Sequence, residues 1–152
     1  MEIERKFLVD KRLWEKVEKP EGKKIIQAYL TNEVEKSIRI RVKGEKAYVT
    51  IKGKQVGISR PEFEYEIPVS DAMEMIYLFA DKVIEKTRYE ILVGQFIWEI
   101  DVFHGKLEGL ILAEIELSNE NEVFENPEWI TTEVSTDPFY LNANLINLDK
   151  WN

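Results

Sequence analysis

The chain has 152 residues, enough for one ordinary domain, and its 44% apolar and 33% charged residues exclude a disordered tail. It contains no cysteine and a single histidine, His104, which excludes disulfides, zinc–thiolate and iron–sulfur centres and multi-histidine metal sites. Its 21 Lys and Arg against 29 Asp and Glu give a net charge of −8, unlike a duplex nucleic-acid binder, and no apolar run approaches the roughly 20 residues of a membrane helix.

Period-2 alternation dominates the chain. It starts at residues 2–7, where Glu2, Glu4 and Lys6 share one strand face; no signal peptide opens with such charges, and a cytoplasmic protein is expected. Asp10 predicts the cap of a short helix through Trp14 and Val17. Residues 24–31 set Gln27, Tyr29 and Thr31 opposite Ile26, Ala28 and Leu30. Residues 37–43 alternate strictly, and Gly44-Glu45 turns the chain into a second strand over 46–52. After a loop with Gly53 and Gly57, Glu62-Phe63-Glu64-Tyr65-Glu66-Ile67 reads as a strand ended by Pro68.

Ser70-Asp71 opens a helix with Met73, Ile76, Tyr77 and Ala80 at helical spacing. Strands follow over 82–92, 95–103 and 110–117, making eight. The acidic stretch 118–127 reads as a solvated loop, and 139–148 as a terminal helix after Asp137-Pro138. No boundary divides the chain, so residues 1–152 form one domain. Trp14, Trp98, Trp129 and Trp151 read as packing residues and His104 as a loop residue.

The polar faces of these strands are unusually uniform. They present Glu2, Glu4 and Lys6, then Arg39 and Arg41, Thr50 and Lys52, Glu62 and Glu64, Lys86 and Arg88, Glu99 and Asp101, Glu114 and Glu116. Same-face neighbours at i, i+2 lie about 7 Å apart. A solvated sheet face accounts for any one pair, and Glu62, Glu64 and Glu66 alternatively serve as ion-pair partners of the arginines. For Glu99 and Asp101, either only Asp101 faces in or both stand behind the site. The recurrence on seven strands, opposite strongly apolar faces, instead suggests an eight-stranded antiparallel barrel of α+β class. Its charged face lines the lumen and its apolar face lies against flanking helices.

Two like charges about 6 Å apart repel by about 3 kcal/mol at an effective dielectric of about 20. A lumen holding Lys6, Arg39, Arg41, Lys52, Lys86 and Arg88 is therefore costly when empty, and a highly anionic ligand relieves it. Carboxylates beside these cations suit a hard cation such as Mg²⁺ or Mn²⁺, which also bridges phosphates. The combination points to a phosphate-chain substrate.

The ordered set Glu2-x-Glu4-x-Lys6, Arg39-x-Arg41, Lys52, Glu62-x-Glu64, Lys86-x-Arg88, Trp98-Glu99-Ile100-Asp101 and Glu114-x-Glu116 resembles the CYTH superfamily, the triphosphate tunnel metalloenzymes. The likeness runs through Glu133-Val134-Ser135 and Asp137, Tyr140, Asn142 and Leu145 to the end of the chain. Arg60 before Pro61, and Ser135 where many members have threonine, depart from the pattern. The resemblance implies an eight-stranded tunnel, divalent metal and a small-molecule triphosphate substrate. Family activities include inorganic triphosphatase, thiamine triphosphatase, RNA 5′-triphosphatase and class IV adenylyl cyclase. Short bacterial members look most like inorganic triphosphatases, and a homodimer is possible.

By the same resemblance, Glu2, Glu4, Glu114 and Glu116 hold the metal, while Glu62 and Glu64 hold a second metal or orient water. Asp101 joins the metal ligands or orients cations. Lys6, Arg39, Arg41, Lys52 and Arg88 grip phosphate, and Tyr29 pairs with Lys86 as a catalytic dyad whose lysine is made less basic by Arg41 and Arg88. Tyr140 and Asn142 fasten the terminal helix, which could also plug one mouth. The alternatives are a cyclase or thiamine triphosphatase, and a module that binds polyphosphate or nucleotide tails without hydrolysis.

Overall fold

The computed structural model describes residues 1–151. Ten strands and three short helices follow one another as β1 (Glu2–Val9), α1 (Lys11–Glu15), β2 (Lys23–Asn32), β3 (Lys36–Lys43), β4 (Lys46–Gly53), β5 (Ser59–Arg60), β6 (Glu62–Ile67), α2 (Val69–Phe79), β7 (Ile84–Val93), β8 (Phe96–Phe103), β9 (Ile111–Glu116), β10 (Ile130–Glu133) and α3 (Asn142–Leu145). All eight expected strands are present, and the antiparallel α+β architecture holds. The expectation misses two short strands, β5 and β10. The expected terminal helix shrinks to a 3-10 turn at Pro138–Tyr140 followed by the four residues of α3.

Hydrogen bonding runs along one sheet in the order β10-β1-β9-β8-β7-β2-β3-β4-β6. The strands β1 and β6 share no ladder, so the ring is not a fully closed barrel. Instead β5, one residue before β6, pairs with β1 through Glu2 opposite Arg60 and Ile3 opposite Ser59. Pro61 lies at the junction and has no N–H to give, which splits what would be one strand into β5 and β6. Two hairpin turns rest on glycines with positive φ, Gly44 at +60° between β3 and β4 and Gly94 at +63° between β7 and β8.

Strand alternation sorts the side chains as the pattern requires. Phe7, Trp98, Ile100, Ala113 and Ile115 point outward and pack with Trp14 of α1 and with Trp129. Edge-to-face contacts link Trp98 to Trp129 at 5.7 Å and Trp129 to Trp14 at 5.9 Å between ring centroids. Asp10 caps α1, its Oδ1 accepting from the Leu13 amide at 3.0 Å, so that Trp14 is delivered to this cluster. A second cluster beneath α2 joins Ala28, Ile40, Ala47, Ala72 and Ile76. A third closes one end of the tunnel, where Ile84, Phe103, Leu107, Leu110 and Leu112 pack against Leu145 and Ile146 of the terminal segment.

Candidate active site

The inward faces enclose a cavity of about 350 Å³. Of the residues expected there, Glu2, Glu4, Lys6, Tyr29, Arg39, Arg41, Lys52, Glu62, Glu64, Arg88, Glu114 and Glu116 all line it. Strand register explains the convergence. Lys6 lies opposite Glu114 and Glu4 opposite Glu116 across β1 and β9. Arg39 lies opposite Thr50, and Thr50 opposite Glu64, across β3, β4 and β6. Arg88 lies opposite Asp101 across β7 and β8.

These side chains form a network of opposite charges. Lys52 Nζ donates to Glu2 Oε1 at 2.9 Å, bridging β4 to β1 where the two ends of the sheet path meet without a ladder. Lys6 Nζ lies 3.8 Å from Glu114 Oε1 and donates to the Tyr140 carbonyl at 3.1 Å. Arg39 Nη2 donates to Thr50 Oγ1 at 3.1 Å, and the Thr50 hydroxyl donates to Glu64 Oε2 at 2.8 Å.

Two expected residues lie behind the wall. Lys86 and Asp101 are fully buried and do not line the cavity. Asp101 therefore stands apart from the other expected metal ligands. Its Oδ1 accepts from Arg88 Nε at 2.7 Å, and its Oδ2 accepts from Arg88 Nη2 at 2.9 Å and Lys86 Nζ at 2.7 Å. Both oxygens accept from cations, three hydrogen bonds in all. Lys86 donates also to Asn142 Oδ1 at 3.3 Å, and no hydrogen bond joins it to Tyr29 among the described residues. The expected dyad is thus not hydrogen-bonded; Asp101 and Asn142 of α3 hold the lysine instead.

Burial and neighbouring charge shape the titration of the site. Burial pushes the Lys86 ammonium down to about 7; Asp101 opposes this, and Arg88 and Arg41 add to it. Burial would raise Asp101, but Arg88 and Lys86 outweigh it and hold the carboxyl far below its usual range. Glu114 sits at about 2, where Lys6 and Arg88 outweigh burial. Glu4 moves the other way: burial, then Glu114 and Glu2, holds it well above the usual carboxylate range. Glu2 is raised too, by burial and by its hydrogen bond with Glu62.

The donor chemistry fits a hard divalent cation. Glu2 and Glu4 are oxygen donors raised by burial and by acidic neighbours, the strain that a cation relieves. Among the described residues no three acidic side chains already stand close enough to hold an ion alone.

The cavity also contains residues that the sequence reading passed over. Ser37, Lys43 and Tyr48 extend the same inward alternation, so their signal was present in the register. Arg60, noted only as a departure, faces Glu2 from β5. Leu141, Asn142 and Ala143 reach the lumen from the terminal segment, which the sequence reading has as a plug for one mouth without assigning these residues to the lining. Glu99 and Asp101 reverse the expectation: Glu99 lines the cavity, 3.3 Å from Arg88 Nη1, while Asp101 stands behind the wall.

No helix among the described residues is long and apolar enough to cross a membrane. Residues 1–146 match the CYTH domain family. An inorganic triphosphatase of Acetivibrio thermocellus is 49% identical over 146 residues, covering 95% of this chain and 92% of that protein. An inorganic triphosphatase of Nitrosomonas europaea is 36% identical, with 95% of each chain covered. A crystal structure of an inorganic triphosphatase superposes with a TM-score of 0.68 at 32% identity, over 99% of this chain and 97% of that one. With its tunnel, its charged lumen and these relatives, the chain belongs to the CYTH domain family.

Proposed function

We propose that the protein hydrolyses inorganic tripolyphosphate to pyrophosphate and phosphate with the help of a divalent cation. The observation that carries this reading is the convergence, in one cavity, of seven basic side chains and seven carboxylates. Lys6, Arg39, Arg41, Lys43, Lys52, Arg60 and Arg88 form the basic set, and Glu2, Glu4, Glu62, Glu64, Glu99, Glu114 and Glu116 the acidic set. A phosphate chain carrying a divalent cation engages both sets at once, its oxygens the basic set and its cation the acidic one. The two similar inorganic triphosphatases support the same substrate.

Glu2, Glu4, Glu114 and Glu116 would hold Mg²⁺ or Mn²⁺, with Glu62 beside them. When bound, such an ion neutralises phosphate oxygens and polarises the bond to be broken. The arginines grip equatorial oxygens in bidentate fashion, and Lys6 and Lys52 act as point charges. Hydrolysis then rests on positioning and charge compensation. Tyr29 orients the attacking water from the lumen wall. Lys86, buried behind the wall between Asp101 and Asn142, steadies Arg88 through the carboxylate they share. Glu64, already tied to Thr50 and near Arg39, keeps that arginine in place.

The test is phosphate release from tripolyphosphate, thiamine triphosphate and ATP, each with Mg²⁺ and with Mn²⁺. The expected result is the highest kcat/KM on tripolyphosphate, with pyrophosphate and phosphate in equal amounts and no turnover in EDTA. Cyclic AMP from ATP, or a higher kcat/KM on thiamine triphosphate, would contradict it. Tight tripolyphosphate binding without phosphate release would reduce the protein to a binding module.

A further inference from the structure

Among the buried cations of the tunnel, Arg41 is unlike the rest. Lys6 stands near Glu114, Arg39 near Glu64, and Lys86 and Arg88 against Asp101. Arg41 has no carboxylate within 4.0 Å among the described residues. The one side-chain hydrogen bond it makes there is neutral, from its Nε to Gln27 Oε1 at 2.9 Å. Gln27 is fully buried on β2, directly opposite Arg41 in the β2–β3 ladder.

The orientation of this amide follows from donor chemistry. An arginine Nε–H only donates, so the amide must turn its oxygen toward it. Its Nε2 then points away and finds no partner among the described residues. A buried, unpaired amide nitrogen is unfavourable, and so is a buried guanidinium without a counter-charge. A glutamate of the same length at position 27 would remove both defects, accepting from Arg41 with a charged oxygen and leaving no orphan donor. Local stability therefore favours a carboxylate where the chain keeps an amide. Burial lowers Arg41 to about 9, and Arg39 and Arg88 add to this while the more distant Asp101 opposes it.

We infer that Gln27 is a positioning residue that aims Arg41 into the tunnel without pairing it directly with a carboxylate, so that Arg41 serves as an anion seat for the substrate's phosphates. The inference rests on the proposed triphosphatase reading and adds a residue outside the cavity lining. Its logic is that a neutral clamp fixes direction without competing for charge, whereas a carboxylate clamp would fix direction and occupy the seat.

Two variants separate this role from simple packing. Gln27→Glu keeps the hydrogen bond and adds the charge; Gln27→Met keeps the volume and loses the hydrogen bond. Steady-state hydrolysis of tripolyphosphate with Mg²⁺ and with Mn²⁺, together with thermal unfolding, reads both. For Gln27→Glu, KM should rise at least about tenfold, by more than kcat falls, while Tm stays level or increases. For Gln27→Met, Tm should fall and KM should rise less than in Gln27→Glu. A merely structural glutamine predicts the reverse order, with Gln27→Met the more damaged in both KM and Tm. A KM within about twofold of wild type in Gln27→Glu, or a Gln27→Glu chain that fails to fold, overturns the inference alone if the wild type is active. A wild type that releases no phosphate overturns the proposed function, and this inference with it.

Discussion

Asp101 organises the basic side of the tunnel without touching its lumen. Its two oxygens accept all three close hydrogen bonds from Arg88 and Lys86. Asp101→Asn keeps the shape and removes the charge, leaving two buried cations facing each other. Breaking a buried pair in this way costs about 3–5 kcal/mol, which denaturant unfolding measures. The pH dependence has a definite sign. The carboxyl is depressed in the folded chain, so its contribution is present above the ordinary aspartate value of 3.8 and is lost as pH falls toward the folded value. The stability gap between wild type and Asp101→Asn should thus narrow as pH falls below the ordinary aspartate value of 3.8. Glu4, buried among acidic neighbours, has the opposite character. Glu4→Gln should fold normally and lose about 100-fold or more in metal-dependent turnover, the upper end of what disturbing a metal's surroundings costs. Full activity in that variant would remove Glu4 from the metal site. At this scale the sequence made inward-facing residues legible, because parity along a strand is a local property. Which cation meets which carboxylate was not legible: the burial of Lys86 and Asp101 depends on how β7, β8 and the terminal segment close over them.

Elements were readable in proportion to their length and regularity. The strands β1 to β4 and β6 to β9 each carry at least six residues of alternation, and each appears in the fold. By contrast β5 has two residues and β10 four, too few for a period to emerge. They exist because β1 offers both its edges, one to β5 and β10 and the other to β9. The terminal helix fell short for a side-chain reason. Asn142 and Asn144 lie within it and Asn147 follows, and asparagine favours local hydrogen bonds over helix continuation. Asn144 Nδ2 donates to the Pro138 carbonyl at 2.6 Å, and Asn32 Nδ2 captures the Ala143 carbonyl at 2.6 Å. The cap of α1 was legible, since Asp10 has a defined task. Asp10→Ala should cost about 1 kcal/mol in stability, measured by thermal unfolding, and leave kcat/KM unchanged because α1 packs outside the tunnel. A large loss of activity at full stability would show that α1 reaches the site.

For the whole molecule, apolar and charged faces trade their usual places. The apolar clusters sit outside the sheet under α1 and α2 and at one end of the tunnel, and the charges converge within. The net charge of −8 conceals this, because the basic residues that matter are inside and the surplus acids include the solvated stretch 118–127. The long-range arrangement was legible only through the recurrence of charged pairs from strand to strand, supported by the family resemblance. Closure of the ring through β5 and the Lys52–Glu2 bridge was not, since both depend on contacts between segments some 50 residues apart. The most direct test of the account is a crystal structure of the protein with tripolyphosphate and Mn²⁺, the metal located by its anomalous scattering. The account predicts the phosphate chain inside the lumen against Arg39, Arg41 and Lys52, with the metal between it and Glu2, Glu4, Glu114 or Glu116. An anion bound only on the outer surface, or a metal held away from those carboxylates, would contradict it.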